Sequence, residues 1–154
     1  MPQRLPIGQL LGNLQRLFRA ELASRGEGGS GFEGIRPAHL QVFGNIKAEG
    51  TRLTDLAEWS DMSLSAMAEL VDGLERLGYL ERRADPSDGR AKLISLTKTG
   101  WAAIREGRRL IGEIESDWAD ALGAERYEAL GRDLQALLDQ LDPRVREEYA
   151  TLPD

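Results

Sequence analysis

A chain of 154 residues and 17.0 kDa, 41% hydrophobic and 30% charged, has the size and balance of one globular domain with its own core. It contains no cysteine, which excludes disulfides, thiolate metal sites and thiol redox switching, and its formal net charge of -6 gives no general attraction to polyanions. No apolar run approaches the ~20 residues needed to cross a bilayer, and the amino-terminal stretch lacks the basic, apolar, small-residue order of a secretory signal, so a cytoplasmic protein with no membrane partner is expected.

Pro6 stands where a first-turn proline is tolerated, and Ile7, Leu10, Leu11, Leu14, Leu17, Phe18 and Leu22 follow at helical spacing, predicting an amphipathic helix of about five turns. Gly26, Gly28, Gly29 and Gly31 interrupt it. No strand precedes them and the lysine and Ser/Thr of a phosphate loop are absent, so this stretch reads as a connector. Arg36-Pro37 opens a short second helix carrying Leu40, Val42, Phe43 and Ile46, closed by Ala48-Glu49-Gly50. Thr54 is the predicted cap of a third helix with Leu56, Ala57 and Trp59, and Ser60-Asp61 breaks the chain before Ser63 caps a fourth.

The fourth helix, residues 63–77, places Met67, Leu70, Val71, Leu74 and Leu77 on one apolar stripe and Ser65, Ala68, Glu69, Asp72 and Arg76 on the face opposite. Gly78 ends it, since a helix terminates cheaply on a residue that accepts a left-handed conformation. Residues 79–83 then read as extended. Turn formers fill 84–90, and a return strand is predicted over 92–96. Helix, turn, helix and hairpin in that order make a winged helix-turn-helix. Between Arg76 and Lys98 six basic residues face three acidic ones, a local cationic island in an acidic chain.

Thr97 can cap a long fifth helix in which Trp101, Ile104, Ile111, Ile114, Trp118 and Leu122 recur, and Gly123 breaks it. A sixth helix carries Tyr127, Leu130, Leu134, Leu137, Leu138 and Leu141, before Asp142-Pro143 forces a restart over 145–149. The stripes on helices one, five and six exceed what a small winged helix can cover, so a second copy of the chain is the expected cover, against a monomer whose terminal helices fold back on its core. The predicted fold is mainly α with a small β-hairpin wing. It is one domain over 1–154, with the winged helix-turn-helix at 36–97 and dimerisation helices at 5–25 and 98–150.

For an enzyme one would look for a nucleophile with its base, a metal cluster or paired carboxylates in a pocket, and the sequence offers none of these. His39 is the sole histidine and lies in an apolar helix, where a packed histidine is expected, and Glu113 with Asp117 reads as a solvated face. No catalytic residue, metal or cofactor is expected.

The segment ADPSDGRAKLISLTKTG resembles the wing of the MarR (multiple antibiotic resistance regulator) family, whose signature is Asp-x-Arg followed by Leu-Thr, here Asp88, Arg90, Leu96 and Thr97. LVDGLERLGYLER is similar to that family's exit from the recognition helix. The resemblance implies a transcriptional repressor that binds a pseudo-palindromic duplex as a homodimer and is released by a small ligand. It makes Arg90 the minor-groove residue and puts Ser63, Ser65, Ala68 and Glu69 at base edges. Arg82, Arg83 and Lys92 would contact phosphates, and Asp88, two positions before Arg90, would orient its guanidinium by a bidentate salt bridge.

It also implies an effector cavity where helices one, two and five meet, with Phe18, His39, Phe43 and Trp101 suited to a small aromatic acid. Where the family often has threonines and an arginine this chain has Ala68 and Glu69, and Gly73 stands where arginine or lysine is common. Glu69 can therefore accept from a cytosine amino group or repel the backbone. The second function these departures suggest is a ligand-binding or protein-interaction dimer whose winged helix no longer reads DNA.

Overall fold

The computed structural model describes residues 4–27 and 31–142. Part of the glycine connector and the predicted helix over 145–149 lie outside them. In chain order the described residues form α1 (Ile7–Gly26), a 3-10 turn (Pro37–His39), α2 (Leu40–Phe43), α3 (Leu53–Trp59), α4 (Leu64–Arg76), β1 (Leu80–Asp85), β2 (Asp88–Leu96), α5 (Lys98–Leu122) and α6 (Ala124–Leu141).

The core sits under the helix-turn-helix. Val42, Ile46, Leu56, Met67, Val71, Leu74 and Ile94 are almost wholly buried, each contributing about 1.5–3 kcal/mol by leaving water. They come from α2, the loop after it, α3, α4 and β2. The predicted second helix is thus shorter than its apolar spacing suggested: a 3-10 turn and one turn of α-helix, with Ile46 buried from the loop.

α4 is held at both ends by the residues its sequence marks. The Ser63 hydroxyl accepts the amide of Ala66 at 3.1 Å, satisfying one orphan donor of the first turn, and Gly78 takes φ +84° just beyond the last turn. Leu77 departs from the predicted stripe. As the residue capping α4 it swings onto the backbone of Gly34, where a Cβ would meet its side chain at 2.8 Å, and it stays exposed. Thr54 is not a cap: α3 begins at Leu53, with Arg52 before it and no side-chain cap bond. The reason is the preceding residue, because Thr51 exchanges both backbone hydrogen bonds with Ile94 and delivers the chain to α3 early.

β1 and β2 pair antiparallel from Leu80 opposite Leu96 to Asp85 opposite Asp88, with an irregularity at Ala84/Asp85. The turn is tighter than predicted, since β2 already begins at Asp88. Gly50, at φ +99°, lies against the wing's base, where a Cβ would stand 2.8 Å from the Ser95 hydroxyl. Thr97 joins wing to α5: its hydroxyl accepts the Gly100 amide and donates to the Gly78 carbonyl at 2.6 Å.

α5 packs on α1 and on α6. Gly100, Ala103, Leu110 and Ile114 are its buried residues, so the predicted stripe holds only at Ile114 and otherwise runs through half-buried positions. α1 is fastened to α5 by Arg25, which reaches Asp117 at 2.6 Å and Glu21 at 3.3 Å, and by the Trp118 indole donating to Glu21. Neither α1 nor α6 buries a single described residue completely.

Candidate nucleic-acid interface

α4 turns Met67, Leu70, Val71 and Leu74 into the core, which by the 100° step of a helix leaves Ser65, Glu69, Asp72 and Arg76 outward. Ser65 and Glu69 are exposed, and Ala68 is half-buried at the edge of that face. Ser63 stands at its N-terminal end with its hydroxyl oxygen engaged as the helix cap. The surface is polar, with the acidic Glu69 and Asp72 and the basic Arg76 on it, and its further cations come from the wing.

Those cations differ in how free they are. Arg82 bridges from β1 to α4, meeting Asp72 at 2.6 Å and Glu75 as well, so its charge is answered within the chain. Arg83 pairs with Glu81 on its own strand. Among the described residues, Arg76, Arg90 and Lys92 have no ion-pair partner, and all three are exposed. The Arg82 bridge lays the wing's base along the solvent face of α4, so helix and hairpin present one surface.

At the wing's turn the predicted bidentate Asp88–Arg90 salt bridge is absent. One oxygen of Asp88 accepts the backbone amide of Arg90 at 3.1 Å, and the other lies 3.7 Å from the Arg52 guanidinium. Asp88 is thus engaged by the backbone of its own turn and by Arg52, not by the Arg90 guanidinium. The residue that sequence reasoning passed over is Asp85. It is buried, accepts both Nε and a terminal nitrogen of Arg52 on one oxygen at 2.9 and 2.6 Å, and takes the amide and hydroxyl of Ser87 on the other. The Ser87 bonds first and the Arg52 bonds second hold its carboxyl down, from 3.8 to about 2. An Asp two positions before a Ser in a Pro-containing turn is a readable signal for the first of these; nothing local announces Arg52.

The four residues proposed for an effector are not brought together. Phe18 meets Trp118 edge-on at 5.9 Å, between α1 and α5, while Phe43 meets Tyr79 at 6.1 Å under the winged helix, and Trp101 packs half-buried on the core. His39 is 2% exposed. Its Nδ1 accepts the Arg36 amide at 3.0 Å, which makes Nε2 the protonated nitrogen, and that nitrogen has no partner. Burial and the nearby Arg36 charge lower the pKa of the ring. A Cβ at Gly73 would stand 3.3 Å from Nε2, so this position of α4 packs toward His39.

A cavity of about 370 Å³ does lie between the end of α1 and the 3-10 turn, lined by Leu22, Phe32, Ile35, Arg36 and Leu40 among others. A wider groove of about 1330 Å³ runs between α1, α5 and α6, floored by Leu11, Leu14, Phe18, Trp118, Leu130 and Leu134. Among the described residues no group of His, Cys, Asp and Glu could hold a metal ion, and no helix is long and apolar enough to cross a membrane.

The family model described as MarR family matches residues 33–91, the stretch from the first residues before the 3-10 turn into β2. Over that stretch the winged helix is similar to that of the MarR family. An uncharacterised HTH-type transcriptional regulator of Bacillus subtilis, YdcH, is 32% identical over 93 residues, which are 59% of this chain and 62% of that protein. The chain thus spans under two thirds of that relative's length. In fold it is similar to wild-type apo MarR of E. coli, with a TM-score of 0.71 at 23% identity over 88% of this chain and 99% of that one. It is similar also to MepR, described as a transcription regulator of the Staphylococcus aureus multidrug efflux pump MepA, with a TM-score of 0.67 at 20% identity over 90% and 100%. At these identities the MarR-type structures speak for the fold: helical, with a two-stranded antiparallel wing.

Proposed function

We propose that this chain is a cytoplasmic transcriptional regulator, acting as a repressor, that binds a pseudo-palindromic duplex as a homodimer. The observation that carries the reading is that α4 leaves Ser65 and Glu69 exposed, with Ala68 at their edge, and is tied by Arg82 to the wing that carries the exposed, unpaired Arg90 and Lys92. A helix of this size fits the major groove, and an arginine at a hairpin tip fits the narrow minor groove beside it. Ser63 and Ser65 reach base edges, and Arg82 and Arg83 exchange an internal carboxylate for phosphate on binding.

Dimerisation follows from the groove between α1, α5 and α6, whose leucines a partner's terminal helices would cover. The effector in this reading is a small aromatic acid. The cavity beside Arg36 would take it with Phe32 as an aromatic wall and Arg36 answering its carboxylate, against the acidic Glu27 and Glu33 on the same lining.

Selecting bound fragments from random duplex DNA tests the reading. The expected product is a site with two-fold symmetry and half-sites about one helical turn, ~10 base pairs, apart. Enrichment of no sequence at low salt would favour the other function, a dimer whose winged helix does not read DNA; Glu69, exposed among the reading residues, is the feature that would account for it.

A further inference from the structure

The wing's turn carries an electrostatic problem that the fold solves from outside it. Residues 85–90 contain two acidic side chains, Asp85 and Asp88, around the single cation Arg90. Left to themselves, either carboxylate could pair with that guanidinium and occupy the donors it would offer to DNA. Neither does so. Asp85 gives one oxygen to Arg52 at 2.9 and 2.6 Å and the other to Ser87, while Asp88 faces Arg52 at 3.7 Å with one oxygen and the Arg90 backbone with the other. Arg52 is anchored for this task, because the residue before it, Thr51, is bridged to Ile94 at the wing's base and the residue after it starts α3.

We propose that Arg52 is a positioning residue for DNA recognition: it holds both carboxylates of the wing turn away from Arg90 and cancels one of their charges, leaving the Arg90 guanidinium uncompensated for the duplex. This rests on the DNA-binding reading above. It assigns to Arg52 a role distinct from a phosphate contact of its own, although its side chain is partly exposed. A carboxylate released from Arg52 would both capture Arg90 and repel phosphate, so the damage on losing Arg52 passes through Asp88.

The test is a double-substitution cycle on the full chain, Arg52→Gln with Asp88→Asn, read by fluorescence anisotropy on a duplex that the wild type has selected from random DNA. Asparagine keeps the oxygen that accepts the Arg90 amide and removes the charge. Arg52→Gln should weaken binding about tenfold or more, and the double variant should bind severalfold more tightly than the product of the two single effects. Additive effects would overturn the proposal and make Arg52 an ordinary phosphate contact or a structural residue. If Arg52→Gln does not fold, Arg52→Lys keeps the charge and loses the two-nitrogen grip; it should show a smaller loss that Asp88→Asn again relieves, and no relief overturns the proposal. A wild type that binds no duplex at low salt removes the DNA reading and this inference together, whereas binding without coupling removes the inference alone.

Discussion

Gly100 has its amide held by Thr97 and its α-carbon so close to the residue that precedes β1 that a Cβ would lie 2.2 Å from the Tyr79 carbonyl oxygen. That neighbour is backbone and cannot step aside, so Gly100→Ala should cost about 3 kcal/mol, the upper range for overpacking, despite alanine's better helix propensity; the urea midpoint would show it. Nothing in the sequence marks this glycine, which sits at an apparently ordinary helix position. Asp85 is a similar case with half its role legible. Its Ser87 bonds follow from local spacing, but its pairing with Arg52 joins residues 33 apart that only the assembled wing brings together. Because its folded pKa of about 2 lies below the ordinary 3.8, its stabilising contribution is whole above about pH 4 and is lost as pH falls through 2. Asp85→Asn should flatten acid unfolding across that window, and an unchanged acid limb would show that the Asp85 bonds contribute nothing to folding.

Among the elements, those with a strict period and a marked end were readable: α4 from its stripe, Ser63 and Gly78, the hairpin from its turn residues, and α5 from Thr97 and Gly123. α2 and the start of α3 were not, since a strand bridge at Thr51 rather than a capping side chain decides where the chain turns. The packing of the 3-10 turn against α4 carries a titratable joint. His39 is the only histidine, and its Nδ1 accepts the Arg36 amide while its other nitrogen faces Gly73 of α4. Protonation would put a hydrogen where that acceptor is. Its pKa is lowered on folding, so the unfolded chain binds a proton the native chain refuses; stability is greatest above about pH 6.5 and declines as pH drops below it. Chemical unfolding at pH 7.5 and 5.5 should show this decline in the wild type and a weaker one in His39→Gln. Equal slopes would mean that the ring is not a coupling point between the two elements.

At the scale of the whole molecule, the unclosed surface is the amino- and carboxy-terminal helices, where Leu11, Leu14, Leu17, Leu130, Leu134 and Leu138 are all exposed in the single chain. Their periodicity was legible, and so was their excess over one domain's needs; which groove they line was not, because that depends on the crossing of α1, α5 and α6. A standard protein interface buries about 1,200–2,000 Å² in total, which helices of 20, 25 and 18 residues can supply. Light scattering should give twice the chain mass at micromolar concentration, and Leu134→Lys should shift it toward the monomer while weakening duplex binding. A folded wild-type monomer would leave this groove to another occupant.

In the proposed function α4 and the wing form one DNA-reading surface. The most direct measurement is the affinity of the wild type and of Arg90→Ala for the selected duplex and for a scrambled one across a series of salt concentrations. The expected result is preference for the selected duplex, a logarithm of affinity that falls linearly with log salt, and a loss of about 1–3 kcal/mol for Arg90→Ala. Equal affinity for the two duplexes, or binding indifferent to both salt and Arg90, would contradict it.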